Sequence, residues 1–325
     1  MEPPVSRLDA VRRHIGSVLA LLLFVLAVVA IRAMLHDVDG EQILQAVRGM
    51  TATTLGLAGL CVAGSYAFLV GYDASALRHI GRRVPARTLA VGSFCAYAMG
   101  NTVGLAVLSG GAVRHRFYQR SGLGLRDVTI VSTFCALAFG ISVSLVGLVA
   151  LVVYPDLLEG GLPVPAAVLR WSSAAALIVS VTLLAAGSLY ARPIGIGRFR
   201  MRMPVPSVLM AQVVFSLGEL SLAALALFLL LPETASIGYP RFVCLFAAAS
   251  LVAALSHVPG GVGVFDGLMI GGLGAHGESV PGAAAAVLVY RALYYLGPFL
   301  MSVLLVGTAR WWFGPAVPVT PARKA

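Results

Sequence analysis

Ser109-Gly110-Gly111-Ala112-Val113-Arg114 and His257-Val258-Pro259-Gly260-Gly261-Val262-Gly263-Val264-Phe265-Asp266 each interrupt an otherwise apolar run. Each follows a carboxylate set inside an earlier apolar run, Asp73 before the first and Glu219 before the second. The two carboxylates lie about 150 residues apart, and so do the two Gly-Gly pairs. A chain whose halves each carry a broken hydrophobic segment and a buried acid has the layout of a transporter built from repeats. Charge inside a bilayer is costly and marks a pathway or a binding site.

The composition places the chain in a membrane. Apolar residues make up 59% and charged residues 11%, with a mean hydropathy of +0.93. Several runs exceed the roughly 18 apolar residues that span a bilayer as a helix. The expected fold class is therefore an all-α polytopic membrane protein. Full spans are expected at 14–35, 54–77, 127–153, 166–190, 207–231 and 281–308. The stretch Ile15–Ile31 is too long for a signal-peptide core, so it reads as a retained first helix. One integral domain covers 1–313, in half-repeats of 14–153 and 166–308, followed by a Pro-rich tail, 314–325, expected to be disordered and cytoplasmic.

Charge fixes the orientation. The stretches 1–14, 78–87, 114–126, 192–206 and 310–325 hold 18 of the 23 Lys and Arg residues. The opposite connectors hold Asp37, Asp39, Glu41, Asp156, Glu159, Glu233 and Glu278. The basic side faces the cytoplasm, and both termini with it. A full crossing by 88–108 would put the four arginines of 114–126 outside. A hairpin over 88–112 that enters and returns on the cytoplasmic side removes that conflict. By the same logic 241–277 enters and leaves on the outer side. The segment 38–48 is mildly amphipathic and is expected on the outer surface, and the basic loop 192–206 joins the halves. Nucleic acid is excluded as a partner, because the arginines lie in short connectors between spans and suit anionic lipid headgroups.

Cys61, Cys95, Cys135 and Cys244 lie in apolar segments without metal-like spacing and read as inert core residues. No metal or cofactor is expected, and no His-Glu-x-x-His, Gly-x-Ser-x-Gly or P-loop motif occurs.

The residues that bear on function are few. Asp73 reads either as a site for a cationic headgroup or a proton, or as an interfacial acid paired with Arg78 or Arg82. Glu219 is the only ionisable residue in its span, so it must pair, protonate or face water. Arg291 lies similarly deep and is expected to pair with Glu219 or Asp266. Asn101, Gly110, Gly111, Arg114 and Arg116 belong to the first hairpin, where glycine backbone and guanidinium forks would suit a phosphate. In the second hairpin Pro259 stops a helix, Gly260-Gly261 turns the chain, and Asp266 falls one turn into the next helix. His257 reads equally as a titrating or a structural group. Tyr290, Tyr294 and Tyr295 read as packing residues.

These motifs, together with Gly71-Tyr72-Asp73, resemble the transmembrane domain of the lysylphosphatidylglycerol synthase/flippase family, over residues 10–310. The resemblance implies movement of phosphatidylglycerol or its aminoacyl derivative across an inner membrane, with consequences for resistance to cationic peptides. It assigns the lipid path to Asp73, Arg114, Glu219 and Asp266. The second motif more often ends in Glu, so Asp266 gives a shorter reach. The soluble acyltransferase domain of full-length members is not in this sequence, so the chain is not expected to charge a lipid itself. Three readings stand: a lipid translocator; the membrane half of an aminoacyl-lipid synthase with a separate acyltransferase partner; and a non-transporting scaffold. A homo-oligomer is compatible with each.

Overall fold

The computed structural model describes residues 40–103, 106–155, 165–190, 193–196, 199–202, 204–232, 236–256 and 258–313. The expected first span, the tail and His257 lie outside the described residues. The helices are α1 (Gly40–Arg48), α2 (Ala52–His79), α3 (Ala86–Val103), α4 (Ala106–Tyr118), α5 (Leu125–Val153), α6 (Ala166–Tyr190), α7 (Pro206–Leu229), α8 (Tyr239–Ser256), α9 (Val264–Ala275), α10 (Val280–Arg291) and α11 (Gly297–Phe313). A π turn, Ala292–Leu296, joins α10 to α11 into one long span. Among the described residues six helical stretches are long and apolar enough to cross a membrane. The chain is an all-α polytopic membrane protein. Its α6 exposes Trp171, Ile178, Leu183 and Leu189, a face that water would not tolerate and lipid covers.

One small departure lies in the connector between the halves. Pro193–Ile196 (β1) and Phe199–Arg202 (β2) pair as an antiparallel hairpin.

The centre of the fold is the packing of α2 on α7, the most extensive helix contact among the described residues. The two run antiparallel, since residues early in α2 meet residues late in α7. A Cβ on Gly64 would come within 2.8 Å of Leu222, one on Gly71 within 2.7 Å of Phe215, and one on Gly218 within 2.5 Å of Phe68. Each helix thus carries Phe-x-x-Gly just before its acid, and each phenylalanine fills the groove opened by the other's glycine. Reciprocal contact between antiparallel acid-bearing helices is what an inverted repeat produces.

The two hairpins enter from opposite ends. The basic ends cluster on one face. Arg82 pairs with Asp127 at 3.0 Å, and Arg116 and Arg120 reach the carbonyls of Val306 and Ala309 on α11. Gln212 near the start of α7 reaches Ser75 near the end of α2. The α3–α4 pair begins and ends on this face. The α8–α9 pair begins and ends on the other, where Ser236 and Glu278 meet and Arg241 lies over Tyr154. The tips meet inside: a Cβ on Gly260 would lie 3.5 Å from the Thr102 carbonyl oxygen. At 13 and 12 residues, α4 and α9 are about 20 Å long or less, short of the roughly 30 Å hydrocarbon core. Neither α4 nor α9 spans the core alone. The longer α8, at 18 residues, is one of the six stretches long and apolar enough to cross, and it is the return of α9 to the face where α8 begins that makes the pair a hairpin.

The first break differs from expectation. Gly110 and Gly111 lie inside α4, which begins at Ala106, whereas α3 ends at Val103. A Cβ on Gly110 would come within 2.8 Å of the Ala96 carbonyl oxygen, and one on Gly111 within 3.4 Å of Ser132 Oγ. These glycines let α4 lie close against α3 and α5. They do not turn the chain.

Candidate functional site: a cavity between the hairpin tips

Three buried acids surround the centre of the molecule: Asp73 (0% exposed), Glu219 (4%) and Asp266 (4%). Their partners differ, and the difference separates structural charge from available charge.

Asp73 is held by Arg114, itself only 3% exposed. Arg114 Nε donates to Asp73 Oδ2 at 2.8 Å and Nη2 to Oδ1 at 2.9 Å. Tyr118 donates to Oδ2 at 2.6 Å and Tyr97 to Oδ1 at 3.1 Å. The Cys135 thiol is 3.6 Å from Oδ1. A bidentate fork with two phenol donors fully satisfies the carboxylate. Asp73 is therefore neither interfacial nor paired with Arg78 or Arg82, as one sequence reading had it. It ties α2 to the first hairpin. Cys135 is more than inert packing, since its thiol faces this carboxylate.

Asp266 is the second tied acid. It pairs with Arg291 Nε and accepts from the Gly263 backbone at 2.7 Å. Arg291 Nη1 and Nη2 donate to the carbonyls of Gly260 and Gly261 at 3.1 and 3.2 Å, and its guanidinium lies 5.2 Å from the Tyr295 ring. Gly260, Gly261 and Gly263 all have positive φ, which glycine alone adopts without strain. Pro259 opens the short helical turn before them. One arginine thus holds the whole second turn against the last span. Of the two partners open to Arg291, the structure selects Asp266.

Glu219 has no arginine among the described residues. Tyr294 donates to its Oε1 at 2.7 Å, and Ser65 does so at 3.4 Å. Oε2 has no hydrogen-bond partner. Tyr294 sits in the π turn, whose backbone also accepts donors: Tyr66 to the Tyr294 carbonyl at 3.1 Å and Thr102 to that of Tyr295 at 3.4 Å. A π turn displaces the regular ladder, and such turns recur at functional sites. Tyr294 is thus a polar partner of the acid as well as a packing residue.

Glu219 lines a cavity of about 580 Å³ between the hairpins, α2, α5, α7 and the last span. Asn101, Arg114, Gly260 and Gly261 line it too, as do Ser132 and Cys135. Arg114 Nη1 lies 3.4 Å from Ser132 Oγ. Val107, Leu108 and Leu255 belong to the lining and are also exposed, at 37%, 69% and 67%. The cavity therefore reaches the molecular surface through an apolar mouth.

Several residues named from sequence stand back from this space. Asp73 lies behind Arg114, Asp266 and Arg291 lie behind the glycine turn, and Gly110 and Gly111 are spent on packing. Arg116 points to α11 and does not join Arg114 in a fork. The phenols Tyr97, Tyr118 and Tyr294 went unrecognised, because aromatic residues in apolar spans read as packing. The deep acids, each needing a donor, were the available signal.

The profile described as Lysylphosphatidylglycerol synthase TM region matches residues 15–302. The uncharacterized protein slr0712 of Synechocystis is 32% identical over 88% of this chain and 88% of its own length. The inner membrane protein YbhN of Escherichia coli is 25% identical over 88% of this chain and 90% of its own. A phosphatidylglycerol lysyltransferase of Staphylococcus epidermidis is 35% identical over 69 residues, 21% of this chain and 8% of that protein. With the profile spanning nearly all of the helical domain, the chain belongs to the lysylphosphatidylglycerol synthase transmembrane-region family.

Proposed function

We propose that the chain is a lipid translocator of a bacterial inner membrane, acting on phosphatidylglycerol or its aminoacyl derivative. One observation carries the reading: a cavity with polar groups at the meeting point of two re-entrant hairpins opens through an apolar mouth. A phospholipid needs both parts. Its headgroup must find partners at mid-depth, where a bare bilayer offers none, while its tails stay in hydrocarbon.

Arg114 serves this role through what Asp73 leaves free. Two of its nitrogens are bound to the carboxylate, so the pair is close to neutral. Nη1, beside Ser132, is the donor that faces a phosphate. Glu219, across the cavity, meets any ammonium on the headgroup. Asp73 acts by holding Arg114 in place. The arginine-rich face is cytoplasmic, because positive residues accumulate there.

The test is transbilayer movement of labelled phosphatidylglycerol in proteoliposomes. The protein should accelerate it over protein-free vesicles, and Arg114→Gln should slow it for every phospholipid. Equal rates for protein-free, wild-type and mutant vesicles would exclude autonomous translocation. The 69-residue similarity to a lysyltransferase favours one alternative, the membrane half of a synthase with a separate acyltransferase. That reading requires a catalytic partner that co-purifies with the chain and charges lipid only in its presence.

A further inference from the structure

Among the described residues four acids are buried; Glu278 accepts from the Ser236 backbone at the end where α8 begins, and the three around the centre divide two to one. Asp73 and Asp266 each hold an arginine. Glu219, 4% exposed, has one oxygen bound by neutral hydroxyls and the other bound by nothing, and it lines the cavity. An ionised carboxylate so placed would bear most of its desolvation penalty uncompensated. Two states remove that penalty: a proton on the carboxyl, or a cation brought into the cavity.

The surroundings favour an exchange between those states. The titratable groups around Glu219 and its cavity are phenols, one thiol and two committed arginines. Tyr66 and Tyr72 come from α2, Tyr97 from α3, Cys135, turned to Asp73, from α5, and Tyr290, Tyr294 and Tyr295 from the last span. Arg291, on that same span, is held by Asp266 and the carbonyls of Gly260 and Gly261. Tyr72 is itself engaged by Ser216 on α7. Arg114, from α4 across the cavity, is committed to Asp73. From α8, Ser250 lines the cavity without being titratable, and Arg241 is turned to Tyr154. Arg170 on α6 is exposed. No fixed positive charge from these elements stands in for a cation at Oε2. The phenol rings provide faces that attract an ammonium whether primary or quaternary.

We infer that Glu219 is a proton–ammonium exchange site: its carboxyl carries a proton while the cavity holds no cation and releases it when a headgroup ammonium enters. The step balances simply. The carboxyl O–H breaks, the proton passes to water carried into the cavity with the polar headgroup, and the carboxylate remains beside one ammonium, so the charge of the site is conserved. Inward and outward passage of an ammonium lipid is then matched by a proton passing the other way. This rests on the translocator reading above and adds its coupling ion.

The test uses the purified full-length protein in detergent and a ligand that does not titrate near neutrality. Dihexanoyl-phosphatidylethanolamine supplies phosphate and ammonium together, and dihexanoyl-phosphatidylglycerol is the ammonium-free control. Calorimetry in two buffers of different ionisation enthalpy counts the protons released. On the acidic limb, affinity for the ethanolamine lipid should rise up to about tenfold per pH unit, with up to one proton released per lipid bound. It should level off once Glu219 is ionised. The control lipid should release none. Glu219→Gln should weaken binding of the ethanolamine lipid and abolish both effects, and Glu219→Asp should keep proton release. Undetectable binding to wild-type protein, binding without proton release, or release that persists in Glu219→Gln overturns the exchange. Vesicles report separately: wild-type protein that moves lipid but binds it without releasing a proton refutes the coupling and leaves the translocator reading standing.

Discussion

Arg114 and Arg291 do the same job in the two halves, each binding a buried aspartate and fixing a re-entrant hairpin. Removing one member of a buried pair leaves an uncompensated charge, at a cost of about 3–5 kcal/mol. Arg291→Ala should therefore lower the thermal stability of the detergent-solubilised protein, and Asp266→Asn in the same chain should recover part of the loss. Glu219→Gln should recover none, because Glu219 does not touch Arg291; rescue by that second change would contradict the pairing. Arg114→Gln should behave likewise toward Asp73→Asn. The double variant keeps the phenol donors of Tyr97 and Tyr118, so its fold can be checked even though the fork is lost.

At the scale of elements, the α2–α7 contact depends on glycines that lie where no side chain fits. A methyl at Gly218 would come within 2.5 Å of the Phe68 ring, and one at Gly71 within 2.7 Å of Phe215. Overpacking of this kind costs about 1–3 kcal/mol. Gly218→Ala should lower the melting temperature, and Phe68→Leu should restore part of it. Gly56, in the same helix as Gly71, has nothing within 4 Å of its Cβ position. Gly56→Ala should leave stability unchanged or raise it by up to about 1 kcal/mol through helix propensity. Equal losses at Gly56 and Gly218 would show that the close approach does not matter. The hairpin α3–α4 should respond as α2–α7 does, because Gly110 faces backbone at 2.8 Å, and backbone cannot rotate away.

At the scale of the whole molecule, the hairpins predict an unusual pattern of access. Gln119 and Arg82 lie at the arginine-rich end, and His276 lies at the other. In a background with Cys61, Cys95, Cys135 and Cys244 replaced by serine, Gln119→Cys should react only from the cytoplasmic side and His276→Cys only from the opposite side. Labelling of both positions from one side would mean that α8–α9 crosses completely, and Gln119→Cys reacting from the outer side would mean that α3–α4 does. The apolar mouth at Leu108 and Leu255 belongs to neither aqueous face, so Leu108→Cys should resist water-soluble reagents and react with lipid-soluble ones.

Much of this was legible in the chain itself. Apolar run lengths fixed the helical membrane class, and the arginines of 114–126 forced the first hairpin, because both signals are local and each is repeated many times over. Pro259, Gly260 and Gly261 marked the second turn, since proline and glycine act on their own backbone wherever they stand. Glu219 announced itself as a lone acid in an apolar span. The sequence was misleading at Gly110-Gly111, where the same residue type that permits a turn also permits close packing, and only a neighbouring carbonyl tells the two apart. It could not choose between Glu219 and Asp266 for Arg291, nor foresee that Arg114 would spend its fork on Asp73. Those assignments depend on which side chains come within about 3 Å of each other across separate helices. That distance is set by the reciprocal fit of Phe68, Gly71, Phe215 and Gly218, and by the turn that brings Gly260 to Thr102. Tertiary packing thus decided which of three acids kept an oxygen free, and with it where the cavity can hold a charge.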